Sequence, residues 1–255
     1  MHLYHKILGS SDTHIILLHG LLGSSDNWMN VGRHVSDYYT VHLLDMRNHG
    51  RSPHSQDINY AIMAEDVAMY IKDNHIVRPI VIGHSMGGKV AMYLALYYSD
   101  SAERIIVIDI APKSYSGGHE YIINAMLEAP LSQFSTRHEA DTWLSERIKG
   151  IGIRQFIMKN LARDSNNRFR WACNLHAIAQ HYPSLMQFDA SGESIIFVDF
   201  IKGQLSDYIM PEDEGIIQSY FPHHKIHTVV DAGHWVHVDN PEGFMDILSR
   251  LLSYH

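Results

Sequence analysis

Short runs of almost unbroken apolar residues recur through the first 112 positions, each followed by a turn and then by apolar residues at every third or fourth place. The runs "HIILLHG" (14–20), "TVHLLDM" (40–46), "PIVIGHS" (79–85) and "RIIVIDIAP" (104–112) predict strands. Their lack of polar alternation predicts burial on both faces. Between them, "DNWMNVGRHVSDY", "NYAIMAEDVAMYIKDN" and "MGGKVAMYLALYYSD" carry helical spacing. In the second of these, Ala61, Met63 or Ala64, Val67, Ala68 and Ile71 are expected to form one buried stripe. The rhythm predicts an α/β protein with a mostly parallel sheet flanked by helices.

From about Tyr115 to Phe188 the rhythm breaks. Aromatic and charged residues mix there at helical spacing, as in "HEADTWLSERIKG" and "FRWACNLHAIAQHYPSLM", without a convincing strand. It resumes with "SIIFVDFIKG" (194–203), a helix opened by Pro211, "HKIHTVVDAGHW" (224–235) and a last helix opened by "NPEGF" at 240–244. Residues 1–114 and 189–255 are therefore expected to build one core, and 115–188 a helical cap inserted into it.

The bulk numbers narrow the partners. A chain of 255 residues, 45% hydrophobic and 19% charged, suits one large domain with an insertion. A formal charge of -8, with 20 basic residues and no basic block, argues against nucleic acid and anionic membranes as partners. Cys173 is the sole cysteine, which excludes an intrachain disulfide and reads as a small buried hydrophobe. The start "MHLYHKILGS" has no signal-peptide pattern and no apolar run nears the ~18 residues of a membrane span, so a cytoplasmic protein is expected. Among the 20 histidines, His223, His224 and His227 match no metal-ligand spacing and "HExxH" does not occur; neither metal nor organic cofactor is implied.

The candidate chemistry centres on "GHSMG", Gly83 to Gly87, a G-x-S-x-G motif set between a predicted strand and a predicted helix. Flanking glycines permit a sharp turn that leaves the Ser85 hydroxyl exposed above the sheet edge. A serine needs a base within hydrogen-bond reach, and that base needs an orienting acid. His234 in "VVDAGHWVH", after the last strand, is the expected base, with His237 as the fallback. An oxyanion hole needs two fixed N–H donors. Met86 follows the nucleophile at a helix start; the second donor comes from the loop after "HIILLHGLLG", from Leu21 or Leu22.

Taken in order, "HGLLGSSDNW", "DMRNHGRS", "GHSMGG" and "DAGHWVH" resemble the alpha/beta-hydrolase fold and, more narrowly, the YbfF-type bacterial esterases. The common arrangement of that fold places the acid three residues beyond the glycine of the strand "SIIFVDFIKG", where this chain has Ser206, with Asp207 one place later. Asp109 in "RIIVIDIAP" is the other candidate. A carboxylate at the end of an Ile/Val strand is costly to bury without a partner, and ligand-binding groups collect at this edge of α/β sheets. The resemblance to the YbfF type implies an acid at this strand end. Asp109 is therefore favoured, Asp207 is the alternative, and Ser206 is expected to bond the acid or hold the loop beside His234. Asp45, Arg47 and Ser52 in "LLDMRNHGRS" read as structural, with Arg47 and Ser52 satisfying carbonyls around the turn, whereas His49 faces either that turn or the pocket.

The function these residues imply is a serine carboxylesterase or thioesterase acting on small-to-medium acyl esters. Leu22, Trp143, Phe156, Trp171 and Trp235 are expected to wall the substrate pocket, with the cap forming an apolar acyl site. A serine at position 85 excludes dehalogenases of this fold, which use aspartate there. The rivals are a cofactor-free perhydrolase or acyltransferase, and a ligand-sensing receptor that retains the triad. Spacing carries no information on oligomeric state.

Overall fold

A computed structural model of the protein describes residues 1–252. Nine strands occur among them: β1 His5–Leu8, β2 His14–Leu18, β3 Thr40–Leu44, β4 Ile80–His84, β5 Arg104–Ile108, β6 Leu161–Arg163, β7 Phe169–Trp171, β8 Phe197–Gly203 and β9 His224–Val229. Seven form one sheet in the order β1-β3-β2-β4-β5-β8-β9, parallel throughout except for β1. Successive residues of each central run serve opposite faces: Ile16, Leu18, Ile105 and Val107 pack on one side, Ile15, Leu17, Ile106 and Ile108 on the other. Two buried faces leave no place for polar alternation, which is why the strands read as continuous apolar runs.

Helices α1 (Met29–Val35), α2 (Tyr60–Asp73) and α3 (Met86–Tyr97) follow β2, β3 and β4. The Asn59 side chain caps α2 by accepting from the Ile62 N–H at 2.9 Å. On α2 the buried stripe runs through Tyr60, Met63, Ala64, Val67 and Ile71, while Ala61 is exposed, one position off the expected face. The aromatic ring of Tyr60 reaches the interior that a methyl at Ala61 does not.

Between β5 and β8 lie α4 (Glu120–Glu128), α5 (Arg137–Ser145), α6 (Ile151–Met158) and α7 (Leu175–Met186). This insertion is not wholly helical: β6 and β7 pair as an antiparallel hairpin, closed by Asp164, whose carboxylate accepts from the N–H groups of Asn166 and Arg168. Strands of three residues are too short to display a period of two, and β1, a four-residue edge strand, escapes sequence reading for the same reason. After β8 come α8 (Glu214–Tyr220), α9 (Val236–Asp239) and α10 (Pro241–Leu252), the last opened by proline behind Asn240, whose side chain accepts from the Gly243 N–H at 2.9 Å. Pro211 opens a single 3-10 turn ahead of α8. Among the described residues no helix is long and apolar enough to cross a membrane.

The register positions the site. Leu18 pairs with Gly83, His84 with Ile108, and Ile108 with Ile201, so the carboxyl ends of β2, β4, β5 and β8 reach one sheet edge together. The loops leaving those four ends meet under the cap. Polar bonds tie cap to core there: Asn160 Nδ2 donates to the Leu22 carbonyl at 2.6 Å and the Tyr60 hydroxyl to the Leu185 carbonyl at 2.6 Å, both buried, and Asn174 Nδ2 donates to Asn48 Oδ1 at 3.1 Å in a half-buried bond.

Candidate active site

Ser85 stands between β4 and α3 with φ 53° and ψ −115°, a left-handed conformation that costs a non-glycine residue about 1–3 kcal/mol. Neighbouring glycines make the turn possible. A Cβ on Gly83 would lie 2.1 Å from the Gly87 carbonyl oxygen, and one on Gly87 would lie 2.4 Å from the Leu18 carbonyl oxygen. Any side chain at either position would drive the strand and helix apart.

The carboxylate that meets His234 is that of Asp109. Its Oδ2 accepts from His234 Nδ1 at 2.8 Å and also from the Ser206 hydroxyl, while Oδ1 accepts from the Gly203 N–H at 2.9 Å. The carboxylate is fully buried, so these three donors satisfy a charge that would otherwise be prohibitive to desolvate. Asp109 too has a positive φ, 51°, and its N–H donates to the Ile201 carbonyl at 2.9 Å, which turns the chain and aims the carboxylate back at His234. Asp207, the alternative, is exposed; the hydroxyl at the preceding position, Ser206, donates to the Asp109 carboxylate that His234 also meets. With Nδ1 engaged by Asp109, His234 is left with Nε2 for the cavity it shares with Ser85.

The fallback His237 is not brought to this pair. Its ring stacks on Trp28 at 4.6 Å, and its Nδ1 is buried with no hydrogen-bond partner among the described residues. Leu22 also loses its candidacy as an oxyanion donor, because its N–H donates to His49 Nε2 at 3.1 Å. His49 Nδ1–H in turn donates to the Arg47 carbonyl at 2.9 Å, so this histidine is a buried clamp on the loop. That leaves the Leu21 N–H without an acceptor among the described residues, beside Ser85 in one cavity; Met86, the first residue of α3, has no intrahelical acceptor for its own N–H.

A model of the alpha/beta hydrolase fold family matches residues 13–145. The chain belongs to this family. It is 38% identical over 254 residues to a mouse protein named as an sn-1-specific diacylglycerol lipase, covering 94% of this chain and 80% of that one. It is 31% identical over 240 residues to the esterase YbfF of Escherichia coli, covering 94% and 92% of the two chains. Among solved structures, a marine microorganism esterase superposes with a TM-score of 0.95 at 37% identity over 98% of this chain and 99% of that one. Within the alpha/beta hydrolases this chain is accordingly a serine hydrolase of the esterase and lipase kind.

Two residues that support this alpha/beta-hydrolase site, Tyr208 and His84, carry no sequence signal of their own. Tyr208 stacks on the His234 ring at 3.7 Å and 17°, and its own carbonyl accepts from the Tyr115 hydroxyl at 2.7 Å. His84, the variable residue of the motif, donates from Nε2 to the His234 carbonyl at 2.9 Å and so ties the loop that carries His234 to the strand that leads into Ser85. Asp45 accepts from the N–H groups of Ser25 and Arg51, and Ser52 donates to the Asp45 carbonyl, a structural cluster as expected. Arg47, however, pairs with Asp66 at 2.6 and 2.9 Å, and among the described residues the one carbonyl its side chain reaches is that of Asp57.

The pocket walls are only partly those expected. Leu22, Phe156 and Trp235 line the main cavity, with the Phe156 and Trp235 rings 4.9 Å apart. Trp143 and Trp171 do not. Trp143 lies beneath the Arg147 guanidinium at 3.5 Å, and Trp171 donates through Nε1 to the Met126 carbonyl at 2.8 Å, so both belong to the cap's own packing. Their apolar surface is used within the insertion, where helical spacing alone cannot distinguish a wall from a core.

The site is ringed by histidines kept neutral. Burial pulls His49 down to about 3 and His237 to about 4, and it holds His84 well below the usual imidazole value, with His234 and His237 nearby adding to the effect. On the far part of the sheet, burial likewise lowers His42 to about 4. The unfolded chain protonates these rings near the ordinary value of about 6.5, while the native state takes up no proton there until pH nears 4 or lower. Below about pH 6.5 the unfolded state therefore binds more protons, and stability falls with falling pH. At about 1.4 kcal/mol per unit, His237 alone accounts for on the order of 3 kcal/mol. Urea midpoints measured from pH 7.5 to 4 are expected to drop steeply below pH 6; a flat profile would contradict neutral burial of this group.

Proposed function

We propose that the protein hydrolyses carboxylic esters, and thioesters by the same chemistry, through an acyl-serine intermediate on Ser85. The observation that carries this reading is the Asp109–His234 pair at 2.8 Å, facing the cavity that holds Ser85 and the unclaimed Leu21 N–H. In this mechanism Ser85 Oγ attacks the substrate carbonyl carbon as its proton passes to His234 Nε2. The carbonyl oxygen, now anionic, accepts from the N–H groups of Leu21 and Met86. Asp109 holds the ring in the required tautomer and stabilises the imidazolium. Collapse of the tetrahedral species breaks the bond to the alcohol or thiol, which takes the proton from His234. Water, deprotonated by the same nitrogen, then releases the carboxylic acid and restores Ser85. Every proton and electron pair is accounted for by the chain, the ester and water.

The test is pre-steady-state hydrolysis of a short aryl ester by the purified protein. Expected are a burst near one equivalent of phenol, continued turnover, and an acid-quenched protein whose added acyl mass maps to Ser85. A single slow turnover accompanied by a large ligand-induced rise in Tm would instead identify a receptor that retains the triad.

A further inference from the structure

Two cavities meet at Ser85, and they are unequal. The smaller, about 30 Å³, runs along α3 between Met86, Lys89, Ile110, Tyr115, Leu185 and Met186. The larger, about 580 Å³, lies under the cap and includes Ile153, Phe156, His234, Trp235 and Val238. Leu21, Ser85, His119 and Tyr208 border both. Under the reading above, the base decides which part of a substrate enters each. The departing oxygen or sulfur must receive its proton from His234, which lines only the larger cavity. Met86, whose N–H would hold the oxyanion, lines only the smaller.

From this partition we infer that the acyl group occupies the small cavity and the alcohol or thiol the large one. The preferred substrates are then short-chain esters, acetates foremost, of bulky apolar alcohols. This rests on Ser85 acting as nucleophile, and it gives the main space under the cap to the alcohol or thiol and only the narrow space between α3 and the Leu185–Met186 end of the cap to the acyl group.

The end of the small cavity is built to stay closed. Lys89 lies one turn after Ser85, its N–H bonded to the Ser85 carbonyl at 3.0 Å, and it lines the same small cavity. Its side chain is buried, and Nζ donates to the carbonyls of Met186 at 3.0 Å and Gln187 at 2.9 Å, where the cap returns to the core. The same Nζ sits 5.3 Å from the Tyr60 ring centre and 5.1 Å from that of Tyr115. Lys89 thus clamps the Leu185–Met186 wall across the path of a growing acyl chain. Roughly 10–15 Å³ of such space holds one water, so a cavity of about 30 Å³ takes a short acyl group such as acetyl, and longer chains must displace the clamped wall. The larger cavity falls within the range of about 300–1,000 Å³ that accommodates drug-sized ligands.

The test compares kcat/KM along two series, p-nitrophenyl acetate, butyrate and octanoate against acetates of ethanol, hexanol and 1-naphthol, in wild type, Met186→Ala and Phe156→Ala. Wild type is expected to lose about ten- to a hundred-fold from acetate to octanoate, the range set by overpacking a closed site, and to gain along the acetate series. Met186→Ala is expected to raise the butyrate-to-acetate ratio about ten-fold. Phe156→Ala is expected to leave that ratio unchanged while raising KM for 1-naphthyl acetate. If octanoate is hydrolysed as well as acetate, and Phe156→Ala rather than Met186→Ala changes the acyl-length ratio, the assignment of the two cavities is overturned while the hydrolase reading stands. No turnover in either series would overturn both.

Discussion

Ser85→Ala is expected to lower kcat/KM for a short aryl ester by about six orders of magnitude, with no burst and no acylated protein. The size of the loss follows from the nucleophile and base acting as one unit. Without the hydroxyl, His234 and Asp109 have no proton to move, and only binding and the Leu21 and Met86 donors continue to favour attack by water. The substitution deletes one oxygen from a half-buried residue that makes no side-chain hydrogen bond among the described residues, so the fold should be retained. Unchanged Tm together with abolished turnover is the expected pair of results. Residual activity within ten-fold of wild type would remove Ser85 from the mechanism.

Asp109→Asn should cost about four orders of magnitude in kcat, whereas Asp207→Asn should leave kcat unchanged. The amide preserves the shape of the carboxylate but loses the charge that balances an imidazolium. It also places an NH₂ donor among three groups that already donate to this position, namely His234 Nδ1, the Ser206 hydroxyl and the Gly203 N–H. At least one contact must break or invert, and a His234 ring that changes tautomer presents a protonated Nε2 to Ser85. Asp207 is exposed, and its substitution alters only solvent-facing charge. Comparing kcat for the two variants, each with circular dichroism to verify folding, separates the two acids. A large loss in Asp207→Asn with near-normal Asp109→Asn would reverse the assignment.

The selectivity for the acyl side and the acid lability are linked through burial. The same dry packing that keeps His84, His49 and His237 neutral also lowers the Lys89 ammonium to about 7. Around this site, polar groups act mostly as fixed hydrogen-bonding struts. Their role is to hold the loops that carry Leu21, Ser85, Asp109 and His234 against one another.

The sequence by itself determined what depends on near neighbours along the chain. Continuous Ile/Val/Leu runs specify strands buried on two faces. "GHSMG" specifies a turn that only glycine at positions 83 and 87 can complete, which places Ser85, and the strand-loop context of "VVDAGHW" places His234. The order of these motifs was enough to reach the alpha/beta-hydrolase fold and its esterase chemistry.

Tertiary structure decided every choice that turns on which donor meets which acceptor across the fold. Asp109 and His234 are 125 residues apart, and no spacing encodes their 2.8 Å contact. Leu21 and Leu22 are adjacent and chemically alike, and they part only because His49, 27 residues later, claims the Leu22 N–H. Trp143 and Trp171 had the composition of pocket walls but turned inward, since an aromatic on a short amphipathic helix or strand buries equally well against the cap or a ligand. A hydrophobic residue registers in sequence only as a need for burial. What it is buried against, and which buried polar group is left free to do chemistry, is settled by packing alone.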